Sequence, residues 1–193
     1  MDKGEIIESK DIDEKINLFD TKITYFILDM DNSKELFGNE LPEDVTKSIL
    51  LLMLDIFFGA YISKVGRDAV AGMYCGEHLS IFDIAKIKDH LQNDLSKKFK
   101  KNITFCMGIS IYPDVCKQKN DIRDYALDAL FTAKQKGANN IEISNEENME
   151  LKSIYFRKNQ LKKLSYLSKK TGKTEAEIIR KAVDQYLEEQ LLK

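Results

Sequence analysis

Histidine and cysteine are scarce in this chain, with two and three among 193 residues. His78 and His90 have no ligand-like partners, and Cys75, Cys106 and Cys116 fall at no metal-binding spacing, which argues against a metal centre built on these side chains. An odd, scattered set of cysteines builds no disulfide framework, so buried or free thiols in a reducing cytoplasm are expected. Long apolar runs are also lacking. The longest, Ile49 to Ile62, is broken by Asp55 and Gly59 and is too short to span a bilayer. The N-terminus is polar and acidic, with no signal-peptide pattern. A cytoplasmic protein without a membrane partner is therefore expected.

What is present suffices for one medium domain and a small one. Hydrophobic residues make up 43% of the chain, enough for a packed core in the larger part. The net charge of −2 hides a division. Residues 151–193 hold 11 Lys and Arg against 5 Asp and Glu, a net +6, and the first 150 residues carry a net −8. A basic tail on an acidic body points to phosphate neutralisation by the tail.

The tail has a readable order. Ser153 to Arg157 alternates as a strand, with Ile154 and Phe156 on one face and Ser153, Tyr155 and Arg157 on the other. Leu161, Leu164 and Leu167 follow on one face of a helix, which Gly172 is placed to end. Thr174 with Glu177 has capping-box spacing, and it opens a second helix with Ile178, Ile179, Ala182, Val183, Tyr186 and Leu187 as its apolar face. A unit of about 40 residues buries too little surface to stand alone.

Residues 152–193 thus resemble a ribbon-helix-helix DNA-binding module. The resemblance implies a homodimer whose two strands pair antiparallel and lie in the major groove of double-stranded DNA. Ser153, Tyr155 and Arg157 would be the base readers, and the backbone amides near Thr174 would hold a phosphate.

Ahead of the tail, strands are expected at Ile23–Met30, Tyr61–Lys64, Ala69–Tyr74, Asn102–Tyr112 and Asn140–Ile143. Helices are expected at Pro42–Phe58, Ile81–Phe99 and Ile122–Lys136. This order suggests an open sheet with helices packed on it, an α+β fold. Residues 1–21 form an N-terminal segment, residues 22–144 the first domain, and the polar stretch 145–151 a linker.

Four segments in that domain carry a second resemblance. They are Asp29-Met30-Asp31 with Lys34; Gly66-Arg67-Asp68-Ala69-Val70; Gly108-Ile109-Ser110-Ile111-Tyr112-Pro113; and Ala129-Leu130-Phe131-Thr132-Ala133-Lys134 with Gly137 and Asn139. Their order is similar to the GGDEF diguanylate cyclase domain, which implies a cyclase-palm sheet with flanking helices. That family joins two GTP molecules by metal-assisted attack of a 3′-hydroxyl on phosphorus.

Carried over residue by residue, the resemblance gives Asp29, the Met30 carbonyl and Asp68 as ligands of a divalent metal. Magnesium is implied only if GTP binds. Ala69 stands where a second acid is needed, and Arg67 stands where the family has a glycine. Phe37 aligns with the guanine-reading Asn, Lys134 keeps a phosphate-binding role, and Ala138 replaces a later arginine. The inhibitory Arg-x-x-Asp pair would fall on Phe57 and Ala60. With several parts missing at once, turnover is not expected. The expected ligand is a guanine nucleotide, cyclic di-GMP first, held by Asp29, Met30, Phe37, Arg67, Asp68 and Lys134. Two alternatives stay open at this point: a divergent active diguanylate cyclase, and an antitoxin-like DNA-binding regulator whose first domain is only a scaffold.

Overall fold

A computed structural model describes residues 4–76, 79–145 and 152–192 of the chain. His78 and all of the expected linker except Asn145 lie outside them. The chain divides into two compact units, Met1–Glu146 with Leu192–Lys193, and Glu147–Leu191.

In the first unit the elements run β1 (Glu5–Ile6), α1 (Ser9–Leu18), β2 (Ile23–Met30), α2 (Ser33–Phe37), α3 (Glu43–Ile56), β3 (Tyr61–Lys64), β4 (Ala69–Cys75), α4 (Ile81–Phe99), β5 (Phe105–Tyr112), α5 (Ile122–Gln135) and β6 (Ile141–Ile143). The six strands form one sheet in the order β1-β3-β4-β2-β5-β6. The β2 strand pairs antiparallel with both β4 and β5, and β3 pairs antiparallel with β4. The two edge pairs, β1 with β3 and β5 with β6, are parallel.

Burial on both faces explains why β2 reads as a continuous apolar run. All eight of its residues are buried. Phe26, Leu28 and Met30 join Val45, Ile49 and Met53 of α3 and Ile84, Leu91 and Leu95 of α4 in one core. Ile23, Tyr25 and Ile27 point the other way, onto Ile12 and Ile16 of α1 and Ala126, Leu130 and Ala133 of α5. The sheet is therefore the middle of three layers. Two glycines permit this packing. A Cβ on Gly72 would lie 2.2 Å from the Phe26 ring, and one on Gly108 would lie 2.1 Å from the Ala126 carbonyl of α5.

Several expectations are corrected. The N-terminal segment, residues 1–21, to which no element was assigned, holds β1 and α1. The signal was Ile12 and Ile16, buried at an i, i+4 spacing. The strand expected from Asn102 begins at Phe105, and a short helix that was not expected, α2, follows β2. All three cysteines are free, and Cys106 and Cys116 are buried. Among the described residues no helix is long and apolar enough to cross a membrane.

The second unit is a helical hairpin, α6 (Lys158–Thr171) and α7 (Glu175–Leu191). Gly172 ends α6 at φ +72°, donating its N–H to the Ser168 carbonyl at 2.9 Å. The strand expected at Ser153–Arg157 is not formed as a ladder. A strand is defined by its hydrogen-bonded neighbour, and among the described residues none pairs with residues 153–157.

Candidate functional site

Two groups of residues were singled out by the sequence, one in each unit. The first lies at the C-terminal end of β2. Asp29 sits opposite Ala69 on β4 and Cys106 on β5. The β3–β4 turn is held close, because the Met30 N–H donates to the Asp68 carbonyl at 3.2 Å. The Met30 side chain belongs to the α3–α4 core, so only its backbone carbonyl is left to serve a ligand.

Asp29 is buried, and Lys134 of α5 pairs with its Oδ1 at 2.7 Å. Burial pushes the Asp29 carboxyl up to about 6. The Lys134 charge and hydrogen bond oppose that rise, and the Asp68 and Asp31 charges add to it. Asp68 is also buried, and its Oδ2 accepts from the Ser33 hydroxyl and from Arg67 Nη2. The same Arg67 nitrogen donates to Ser33 Oγ, while Nη1 reaches the Asn39 carbonyl at 3.3 Å. Arg67 thus lies along its own turn and α2, paired with the adjacent carboxylate.

A supporting layer was not foreseen. Asp31 Oδ2 accepts from Thr104 Oγ1 at 2.7 Å and from the Asn139 N–H at 2.8 Å. Lys88, buried on α4, donates to Gln92 Oε1 at 3.0 Å, to the Phe105 carbonyl at 3.3 Å and to the Asn139 side chain. Burial pulls the Lys88 ammonium below its usual range. Asn139 has a left-handed backbone, φ +62°, and is held from both sides by Lys88 and Asp31. The available signal was Lys88 itself, a charge within the buried Ile84, Leu91 and Leu95 stripe of an amphipathic helix.

Phe37, aligned with the guanine reader, is partly buried. It ends α2 and packs on the α3–α4 core, its ring edge-on to Phe99 at 6.1 Å. Lys101 lies 5.2 Å over the ring.

The donor set does not fit a divalent metal. Among the described residues no three His, Cys, Asp or Glu side chains converge to hold one. Asp29 and Asp68 face Lys134 and Arg67, and Ala69 contributes no oxygen.

The second group lies in the helical hairpin. Ser153, Tyr155 and Arg157 are exposed. Ile154 and Phe156 line an apolar groove of about 490 Å³ with Leu164, Leu167, Ile179 and Val183. Neither helix has a buried residue, so their apolar faces are uncovered. Gln160 Oε1 accepts from the Arg157 N–H at 3.0 Å and from Nε at 3.3 Å, which ties the arginine to the first turn of α6. At α7 the Thr174 N–H and hydroxyl both donate to Glu177 Oε2, at 2.7 and 2.8 Å, so the helix opening expected to hold a phosphate is capped by its own carboxylate.

Comparison with known proteins separates the same two parts. Residues 152–189 match the family model of the ribbon-helix-helix domain. The rest of the chain is similar in fold to GGDEF domains. The GGDEF domain of PA1120 from Pseudomonas aeruginosa superposes with a TM-score of 0.55 at 14% identity, covering 73% of this chain and 98% of that one. A diguanylate cyclase/phosphodiesterase from Caldicellulosiruptor saccharolyticus gives 0.57 at 16% identity, over 75% and 92%. The GGDEF domain of DgcB from Caulobacter crescentus, solved in complex with c-di-GMP, gives 0.51 at 14% identity, over 74% and 90%. No curated protein matches the chain. The chain therefore carries a GGDEF-like domain followed by a C-terminal ribbon-helix-helix domain.

Proposed function

We propose that this protein is a DNA-binding transcription regulator whose GGDEF-like domain binds a guanine nucleotide, cyclic di-GMP first, without turning it over. The observation that carries the DNA half is the division of residues 153–157. Ile154 and Phe156 line the apolar groove, and Ser153, Tyr155 and Arg157 do not. A second copy brings its own segment alongside, completes an antiparallel ribbon and covers both grooves. The outward side chains of that ribbon then enter the major groove, and the surrounding lysines neutralise phosphates.

The sensor half is supported by the retained Asp29–Lys134 pair at the strand end. Loss of turnover is supported by Ala69 in place of a carboxylate and by Arg67 lying against Asp68. Nucleotide bound at or between two such domains would fix the separation of two tails and so alter binding to adjacent half-sites through effective concentration.

Calorimetric titration with cyclic di-GMP, and with GTP and magnesium for comparison, tests the sensor half. Micromolar or tighter cyclic di-GMP binding without product formation is expected. Anisotropy of a labelled operator, selected from random duplexes, tests the coupling. An operator affinity indifferent to cyclic di-GMP removes the regulatory reading, and release of cyclic di-GMP from GTP removes the non-catalytic one.

A further inference from the structure

At the end of β2 the carboxylates lie inward and the cations outward. Side-chain exposure is 5% for Asp29 and 9% for Asp68, against 34% for Lys134 and 20% for Arg67. A solute approaching this site meets an ammonium and a guanidinium first. Asp29 Oδ1 is already engaged by Lys134, Asp68 Oδ2 by Arg67 and Ser33, and Asp31 Oδ2 by Thr104 and Asn139.

We propose that the site takes a phosphate-bearing anion directly on Arg67 and Lys134, with no divalent cation in between. This rests on the nucleotide reading above and specifies its chemistry. A magnesium-like ion demands near-octahedral oxygen ligation and gives up water reluctantly. Here it would have to break two ion pairs and then sit against the displaced guanidinium. A phosphate can add to the outer sides of both cations with the two carboxylate pairs left in place. The planar fork of Arg67 suits phosphate oxygens, and its Nη1 contact to the Asn39 carbonyl is long and exposed. A charge-assisted bond to a phosphate oxygen is shorter and stronger than that contact.

Two probes test this on the full-length chain: Mn²⁺ alone, followed by its electron paramagnetic resonance signal, and inorganic pyrophosphate, followed by calorimetry in EDTA. The wild type is expected to leave the signal of equimolar Mn²⁺ undiminished and to bind pyrophosphate without metal. Arg67→Ala should weaken pyrophosphate binding at least about tenfold, the loss of a hydrogen bond to a charged group. Arg67→Lys keeps the charge, loses the fork, and should fall between the two. Arg67→Lys also serves if Arg67→Ala does not fold. Loss of the Mn²⁺ signal without added anion, pyrophosphate binding that needs Mn²⁺, or no pyrophosphate binding in either buffer would each overturn the proposal. A guanine nucleotide that binds only with metal overturns it and leaves the sensor reading standing. Metal-free binding that leaves operator affinity unchanged does the reverse.

Discussion

Glu177 closes the turn that opens α7 by accepting both donors of Thr174, the backbone N–H at 2.7 Å and the hydroxyl at 2.8 Å, while its own N–H donates back to Thr174 Oγ1 at 3.2 Å. These bonds hold the Glu177 carboxyl below its ordinary 4.5, the backbone donor acting most strongly. A depressed carboxyl contributes stability above its unfolded value and loses it as pH falls through the folded one. Circular dichroism melts should therefore show the helical hairpin weakening below about pH 4.5, and Glu177→Gln should blunt that acid step. Thr174→Ala should cost about 1 kcal/mol at neutral pH, read from urea titration of the protein.

Asp29 has the opposite sign. Its carboxyl is raised to about 6 from an ordinary 3.8, chiefly by burial. The folded state then binds its proton more tightly than the unfolded chain, so stability falls as pH rises from 3.8 to about 6. At about 1.4 kcal/mol per pH unit the charged form costs up to about 3 kcal/mol. Asp29→Asn should stabilise the protein by up to that amount at pH 8, and the gain should vanish below about pH 4. Lys134, left without its partner, is exposed enough to be solvated. Chemical denaturation of both proteins at the two pH values checks the sign.

The close approach of α5 to the sheet gives a third test. A Cβ on Gly108 meets backbone, 2.1 Å from the Ala126 carbonyl and 2.2 Å from the Leu130 nitrogen. Backbone cannot swing aside as a side chain does. Gly108→Ala should cost about 3 kcal/mol or more, at or beyond the usual range for overpacking, read from the urea midpoint. Gly172→Ala bears on a different strain, φ +72° with open space around it, and should cost about 1 kcal/mol.

These positions also show where the sequence could be read. The β2 strand and α4 were legible end to end, because one is apolar throughout and the other keeps a stripe from Ile84 to Leu95. The N-terminal helix α1 was not, since a strongly charged decapeptide hides its two core residues, Ile12 and Ile16. The Ser153–Arg157 strand was legible as a pattern and is absent as a ladder, since no strand pairs with it among the described residues. At the candidate site beside the end of β2 the motif residues Asp29 and Lys134 were legible, and their pairing is observed. Ser33 was not, because its contact joins it to a residue 35 positions away, and Lys88 showed only as a charge within an apolar stripe, while its partner Asn139, 51 positions on, left no local trace.

The uncovered groove predicts how the tail assembles. Leu167 and Val183 line it and are substantially exposed. Burying what remains exposed of each in a dimer is worth about 1 kcal/mol, and a charge placed there would stay unpaired. Leu167→Glu should shift the protein toward monomer in analytical ultracentrifugation and abolish operator binding, since a single extended segment cannot form the ribbon. A Leu167→Glu chain that stays dimeric would place the main dimer contact in the first unit instead.

Arg157 separates reading from holding. Its backbone N–H and Nε are tied to Gln160 while the residue stays exposed, so its guanidinium is pre-placed at the end of the extended segment. If it reads a base, Arg157→Ala should weaken operator binding by about 1–3 kcal/mol and relax preference at one position in each half-site. If it holds phosphate, the loss should be equal for all sequences and the salt slope should fall by about one. Lys162→Ala, on the polar side of α6, is the control for the second behaviour. Gln160→Ala should reproduce part of the Arg157 loss without removing the charge, because it frees the side chain that Gln160 orients. An affinity and footprint unchanged in Arg157→Ala would move the reading face off residues 153–157.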